Sequence, residues 1–145
     1  MKHVFIINPK SNSEAFTEKF RHKIEELCVN RGLEFEIKST AKNLDAENFA
    51  RQAAEKGDAV RVYACGGDGT VNEVVNGIFG FKNAELAVIP IGTGNDFIRT
   101  FGDIKKFFDI ETVIDSEARP IDAIKINDRI CLKTVQECFI APSHL

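Results

Sequence analysis

One apolar run, Ala59 to Cys65, passes without a linker into Gly66-Gly67-Asp68-Gly69-Thr70 and then into a helical stripe of Val71, Val74, Val75 and Ile78. A strand joined to a helix through so short a turn leaves little freedom. The helix must fold back over the sheet, and the next strand must run parallel to the first. The rest of the chain repeats the theme. Val4 to Ile7 reads as a buried strand ending at Asn8-Pro9. Ser11 and Glu14 have capping-box spacing and predict a helix start, followed by Phe16, Phe20, Ile24, Leu27 and Cys28 at helical spacing and a stop at Gly32. Leu33 to Lys38 alternates apolar and charged residues as a strand with one polar face would. Ala46, Phe49, Ala50, Ala53 and Ala54 mark a second helix ending at Gly57.

Leu86 to Ile89 predicts a fourth strand, and Pro90 to Asp96 a second glycine-rich loop. A shorter helical stretch follows over Asp103 to Ser116, then a hairpin of Ile121–Ile126 and Arg129–Leu132 about Asn127-Asp128. The expected fold is α/β: three layers, α/β/α, with a mostly parallel sheet, a C-terminal β-hairpin and an irregular tail. The 145 residues suffice for one domain. We place it at 1–133, with the tail at 134–145, where the alternating strand pattern is lost. No internal repeat or linker divides the chain.

In open parallel sheets, ligands bind outside the carboxyl ends of the strands. Asn8–Asn12, Ser39–Thr40, Gly66–Thr70 and Gly92–Asn95 each follow a predicted strand, so four loops rich in Gly, Ser, Thr and Asn converge on one edge. Glycines let the backbone take positive φ or approach a ligand closely. Successive N–H groups at a helix N-terminus offer donors and partial positive charge to phosphate oxygens. Thr70 can add a hydroxyl and cap its helix, and Asn95 or Asp96 can cap the helix after the second loop. No G-x-x-x-x-G-K-[ST] and no strand-linked G-x-G-x-x-G is present. Phosphate charge would therefore be met by amides, hydroxyls, Mg²⁺ and candidate cations Lys10 and Arg99.

Asp68 stands inside this amide-rich turn. A carboxylate there either hydrogen-bonds its own turn or serves a cation or a proton, as phosphoryl transfer to an alcohol requires. It is the candidate catalytic residue; Asn95, Asp96 and Asp122 are candidates for acceptor contacts. Composition narrows the partners. Hydrophobic residues are 43%, charged residues 28%, and the net charge is −3, a globular balance with no basic run to draw nucleic acid or an anionic membrane. No apolar run approaches the ~18 residues of a membrane span, and no leader pattern follows Met1, so a cytoplasmic protein is expected. Cys28, Cys65, Cys131 and Cys138 form no C-x-x-C pair, and Cys28 and Cys65 fall on apolar faces as buried thiols. His3, His22 and His144 form no cluster and are assigned no chemistry.

Three ordered segments together resemble the diacylglycerol kinase catalytic domain: Asn8-Pro9-Lys10-Ser11-Asn12, Gly66-Gly67-Asp68-Gly69-Thr70-Val71-Asn72-Glu73 and Pro90-Ile91-Gly92-Thr93-Gly94-Asn95-Asp96-Phe97. Bacterial diacylglycerol kinases, YegS-like lipid kinases, ceramide kinases and sphingosine kinases share it. The resemblance spans roughly residues 3 to 133. It implies an ATP-binding set of Asn8, Pro9, Lys10, Ser11, Asn12, Thr40, Gly66, Gly67, Asp68, Gly69, Thr70, Val71, Asn72, Gly92, Thr93 and Gly94, with ATP and Mg²⁺ as cofactors. It also implies a lipid acceptor such as diacylglycerol, met at a membrane by transient peripheral contact. Family members continue into a β-rich second domain that supplies Mg²⁺ ligands and, in bacterial enzymes, a base. This chain stops at Leu145, which suggests a truncated or frame-shifted product, or a single domain with an irregular tail, inactive or nearly so by itself. Two alternatives stand beside the lipid kinase: an NAD kinase, which shares the glycine turn, and a non-catalytic nucleotide-binding piece that dimerises through an exposed apolar face.

Overall fold

The computed structural model describes residues 1–132. The predicted tail, with Cys138 and His144, lies outside the described residues. Four strands, β1 (Lys2–Ile7), β2 (Phe35–Ser39), β3 (Val60–Gly66) and β4 (Ala84–Pro90), pair in the order β2-β1-β3-β4, all parallel. The connecting helices are α1 (Glu14–Asn30), α2 (Asp45–Glu55) and α3 (Asp68–Ile78). The chain steps from β1 to β2 in one direction and from β2 past β1 to β3 in the other. Right-handed crossovers then put α1 on one face and α2 with α3 on the opposite face.

The core shows these layers directly. Val4, Ile6, Val62, Ala64 and Val88 pack with Ala46, Ala50, Val71, Val74 and Ile78 of α2 and α3. Phe5, Ile7, Tyr63, Cys65 and Ile89 pack with Phe20, Ile24 and Cys28 of α1 and with Ile110, Val113 and Ile114. Alternate residues of one strand thus feed two cores, which is why β3 is buried along its whole length. His3 belongs to this interior. Its Nδ1 lies 2.7 Å from the Tyr63 hydroxyl, and burial, then the Arg61 charge, lowers its pKa. Cys28 and Cys65 are buried free thiols, as expected.

Several boundaries differ from the sequence reading. α1 is capped by Ser13, whose Oγ accepts the Phe16 N–H at 3.1 Å. Ser11 does not cap it, because Pro9–Ser11 forms a turn of 3-10 helix capped by Asn8. The stretch expected as one helix over Asp103 to Ser116 is a 3-10 turn at Lys105–Phe108 and a short α5 (Ile110–Asp115), separated by extended Asp109. A four-residue α4 (Asp96–Arg99) precedes it. The hairpin is shorter than predicted: β5 (Ile124–Ile126) and β6 (Arg129–Cys131) pair antiparallel about Asn127, which takes φ 55. It forms its own sheet and is held on α3 by Asn76, which accepts the Ile130 N–H at 2.8 Å and donates to the Ile130 carbonyl at 3.0 Å. Arg129 adds an ion pair to Glu47 at 2.8 Å. Among the described residues no helix is long and apolar enough to cross a membrane.

α2 and α3 touch most closely at Gly77. A β-carbon there would strike the Glu47 carbonyl and lie 2.8 Å from the Ala50 β-carbon. Gly77→Ala should therefore overpack this contact and lower unfolding free energy by roughly 1–3 kcal/mol, read from urea titration. An unchanged midpoint would mean that the two helices can move apart freely.

Candidate functional site

The strand order reverses between β1 and β3, so the crevice available to a ligand opens beyond their carboxyl ends. Register brings the four predicted loops to that level. Ile7 pairs with Ser39 and Cys65, and Gly66 pairs with Pro90. Main-chain bonds continue the ladder one step further: Asn8 N–H to Cys65 O at 2.9 Å, Thr40 N–H to Ile7 O at 2.9 Å, and Ile91 N–H to Gly66 O at 3.3 Å. Each loop therefore leaves the sheet from a fixed point.

The loops then close on one another. A β-carbon on Gly66 would collide with the Thr70 side chain and stand 3.3 Å from Ser11 Oγ. One on Gly92 would lie 3.3 Å from the Gly67 nitrogen and 3.4 Å from the Ser11 β-carbon, and one on Gly67 would meet the Thr93 carbonyl at 3.6 Å. Ser11, Gly66–Gly67 and Gly92–Thr93 are thus one packed unit. Close approach requires glycine at Gly66; a β-carbon on Gly69 would meet nothing within 4 Å, and none of Gly66, Gly67 and Gly69 takes positive φ, whereas Gly94 does, at 71°.

α3 begins at Asp68 with Gly67 as its cap, and no side chain caps it. The expectation that Thr70 caps this helix is corrected. Thr70 lies in the first turn with its side chain buried beneath Gly66, out of line with the end of the helix. The first helical N–H to bond back is that of Val71, to Gly67 O at 3.2 Å. The N–H groups of Asp68, Gly69 and Thr70 precede it, and they carry the positive end of the α3 dipole. Such a set of donors at a helix N-terminus is a candidate anion site.

Asp68 does something that the sequence did not disclose. Its Oδ2 accepts the Asp96 N–H at 2.9 Å and its Oδ1 accepts the Phe97 N–H at 3.0 Å. It caps α4 from the other loop and clasps the two glycine segments together; it does not bond its own turn. The predicted capping by Asn95 or Asp96 is accordingly corrected: Asn95 instead donates to Gly92 O at 3.0 Å, tightening its own loop. Asn12 makes the third tie, donating to Ile91 O at 2.8 Å, and Asn8 Oδ1 accepts the Lys10 N–H at 3.1 Å.

The remaining candidates separate into two groups. Pro9, Lys10, Thr40, Val71, Asn72, Thr93 and Gly94 belong to these converging segments, with Lys10 and Thr93 exposed. Arg99 pairs distantly with Asp96, at 3.9 Å. Asp122 is exposed ahead of β5, outside the network of the glycine loops. Glu73 lies on α3 off the stripe of Val71, Val74 and Val75, half buried, with its Oε1 without a hydrogen-bond partner. An apolar cavity of about 530 Å³ lies along the outer edge of β4, lined in part by Leu86, Val88, Phe97, Phe101 and Phe107. Of the glycine-loop segments just described, only Phe97 reaches its wall. Among the described residues no group of three or more His, Cys, Asp or Glu gathers where it could hold a metal ion.

Removing the Asp68 carboxylate leaves the Phe97 N–H without its acceptor. Asp68→Ala should cost roughly 1–3 kcal/mol of stability and speed amide exchange at Phe97. Unchanged exchange there would show that the clasp is not formed in solution.

These features define an α/β domain whose glycine-rich loops converge at its switch point. A model of the diacylglycerol kinase catalytic domain matches residues 2–126, and the chain belongs to that family. It is 41% identical over 127 residues to a diacylglycerol kinase from Bacillus subtilis (strain 168), covering 84% of this chain and 41% of that protein. It is 36% identical over 150 residues to a diacylglycerol kinase from Staphylococcus epidermidis, covering 97% of this chain and 46% of the relative. A crystal structure of a diacylglycerol kinase from Bacillus anthracis str. Sterne superposes with a TM-score of 0.67 at 30% identity, over 89% of this chain and 45% of that one. The chain spans less than half the length of these relatives.

Proposed function

We propose that this chain binds ATP with its phosphates on the α3 N-terminus, and that it is the ATP-binding domain of a lipid kinase. In that reading the γ-phosphoryl group passes to a hydroxyl of a lipid such as diacylglycerol. The observation that carries it is the set of N–H groups of Asp68, Gly69 and Thr70 above a glycine floor at the switch point. The family points the same way, since kinases named for diacylglycerol share its catalytic domain model. The domain corresponds to residues 1–133, with Asn8 to Asn12, Thr40, Gly66 to Asn72 and Gly92 to Gly94 as the nucleotide-facing set. Asn95, Asp96 and Asp122 are the proposed acceptor contacts.

The cradle offers a polyphosphate N–H donors and close backbone approach. It does not by itself assemble a Mg²⁺ ligand set, so Mg²⁺ would arrive on the phosphates, and no step is derived through it. Asp68 remains the proposed catalytic carboxylate, but both of its oxygens hold the second loop. That commitment favours ATP binding over turnover for this chain alone. The lipid would be met at a membrane surface by peripheral contact.

Gly69 tests the reading cleanly, because a β-carbon there meets no protein atom within 4 Å. Gly69→Ala should leave stability equal or raised by roughly 0.5–1 kcal/mol, since alanine favours a helix. It should nevertheless weaken ATP binding at least tenfold by calorimetry with Mg²⁺ present. Equal affinity for wild type and variant, or no ATP binding by wild type, would remove the phosphates from this helix end. Mg²⁺-dependent phosphorylation of diacylglycerol by the 145-residue chain, absent in Asp68→Asn, would show that turnover needs nothing more.

A further inference from the structure

The two edges of the four-stranded sheet differ. β2 forms one, and it carries charge: Glu36 pairs with Lys2 at 3.1 Å and with Lys38 at 2.9 Å. Charged side chains keep a further strand from adding to such an edge. β4 forms the other, and its run Leu86-Ala87-Val88-Ile89 has no charge. Glu85 is held by Arg61 at 2.9 Å, and Arg61 in turn donates to the Ile114 carbonyl at 2.9 Å.

The register shows where the β4 main chain points. Val60 N–H donates to Asn83 O at 2.9 Å, and Ile91 N–H donates to Gly66 O at 3.3 Å. Between these bonds the parallel ladder alternates, so Glu85, Ala87 and Ile89 face β3. Leu86 and Val88 turn their N–H and C=O groups outward, and none of the described residues bonds them. Val88 is nonetheless only 5% exposed. Buried backbone groups are ordinarily paired, so these call for a hydrogen-bonding partner.

The cavity along β4 lies on these groups. Phe97, Phe101 and Phe107 wall it from the core shared with α3, and Val113 from the core shared with α1. An apolar chain alone would fill that space and leave the backbone groups unmet. A second copy of β4 would bring walls of its own, which would meet first. A single extended strand satisfies both demands, because its side chains alternate between the two walls while its main chain meets β4. Lys106 and Arg119 also line the cavity, exposed and without an ion pair among the described residues, against the acid Glu117.

We propose that the β4 edge is a docking site for a strand of another protein. That strand carries apolar residues at alternate positions, flanked by acidic ones, and pairs with the main chain of Leu86 and Val88. The proposal requires nothing of the ATP site.

The test is amide exchange on the 145-residue chain, alone and with a capped probe peptide of alternating valine and threonine flanked by glutamates. Alone, the N–H groups of Leu86 and Val88 should exchange at least tenfold faster than those of Ala87 and Ile89. Peptide at about 1 mM, enough for a weak complex, should slow both at least tenfold. The same peptide, N-methylated along its valine–threonine run, keeps its side chains without its N–H donors and should have no effect. Leu86→Pro removes an outward N–H and no bond to β3, as an edge strand tolerates, and should not bind the probe. Should that variant not fold, the N-methylated peptide carries the comparison. Arg119→Glu should weaken the acidic probe at least threefold and favour a lysine-flanked one. Slow exchange of Leu86 and Val88 in the chain alone would mean that its own residues or a second copy cover the edge, and overturns the proposal. Equal binding of the N-methylated peptide, which would make the groove a purely apolar site, overturns it too, as does a probe that slows neither amide.

Discussion

The parallel pairing of β1 with β3 is the constraint on which the rest depends. Lys2 to Ile7 run in register with Val60 to Cys65, and both strands are covered on both faces. Because the chain turns outward from β1 to β2 and then back across to β3, the helices that follow β1 and β3 lie on opposite faces. That reversal puts the switch point at their carboxyl ends, where backbone groups are left over from the ladder. Burial of Phe5, Ile7, Tyr63 and Cys65 on one side and Val4, Ile6, Val62 and Ala64 on the other fixes the register. A slip by one residue would exchange the two sets.

On this frame a few polar side chains decide how the loops sit. Asp68 joins the two glycine segments, and Asn12 joins the first loop to the strand end of β4. Most of these bonds run from a side chain to a backbone N–H or carbonyl, which is how a site made of loops becomes rigid. The same residues that would face a nucleotide are therefore occupied in building the cradle. The hairpin is secured by the same device, with Asn76 standing in for a neighbouring strand against Ile130.

Much of this was legible in the chain itself. The alternation of apolar runs with helical stripes gave the layers and the parallel sheet, and the loop compositions marked the four segments that meet at one edge. Local pattern failed where two residues could play one part. Ser11 has the spacing of a helix cap, yet Pro9 draws it into a 3-10 turn and Ser13 takes the role. It failed again where the partner is remote. Asp68 bonds residues 28 and 29 positions onward, and nothing within its own turn signals that. The glycines of the first turn were read for freedom of φ as well as for closeness; closeness applies at Gly66, and neither applies at Gly69.

The most direct measurement of the central claim is a map of backbone amide shifts on adding MgATP to the labelled chain. The account predicts saturable changes concentrated at Asn8–Asn12, Thr40, Gly66–Asn72 and Gly92–Asp96, with the β5–β6 hairpin far less affected. Changes gathered instead around Phe101 and Phe107 on the outer edge of β4, with the amides of Gly67 to Thr70 unmoved, would contradict it.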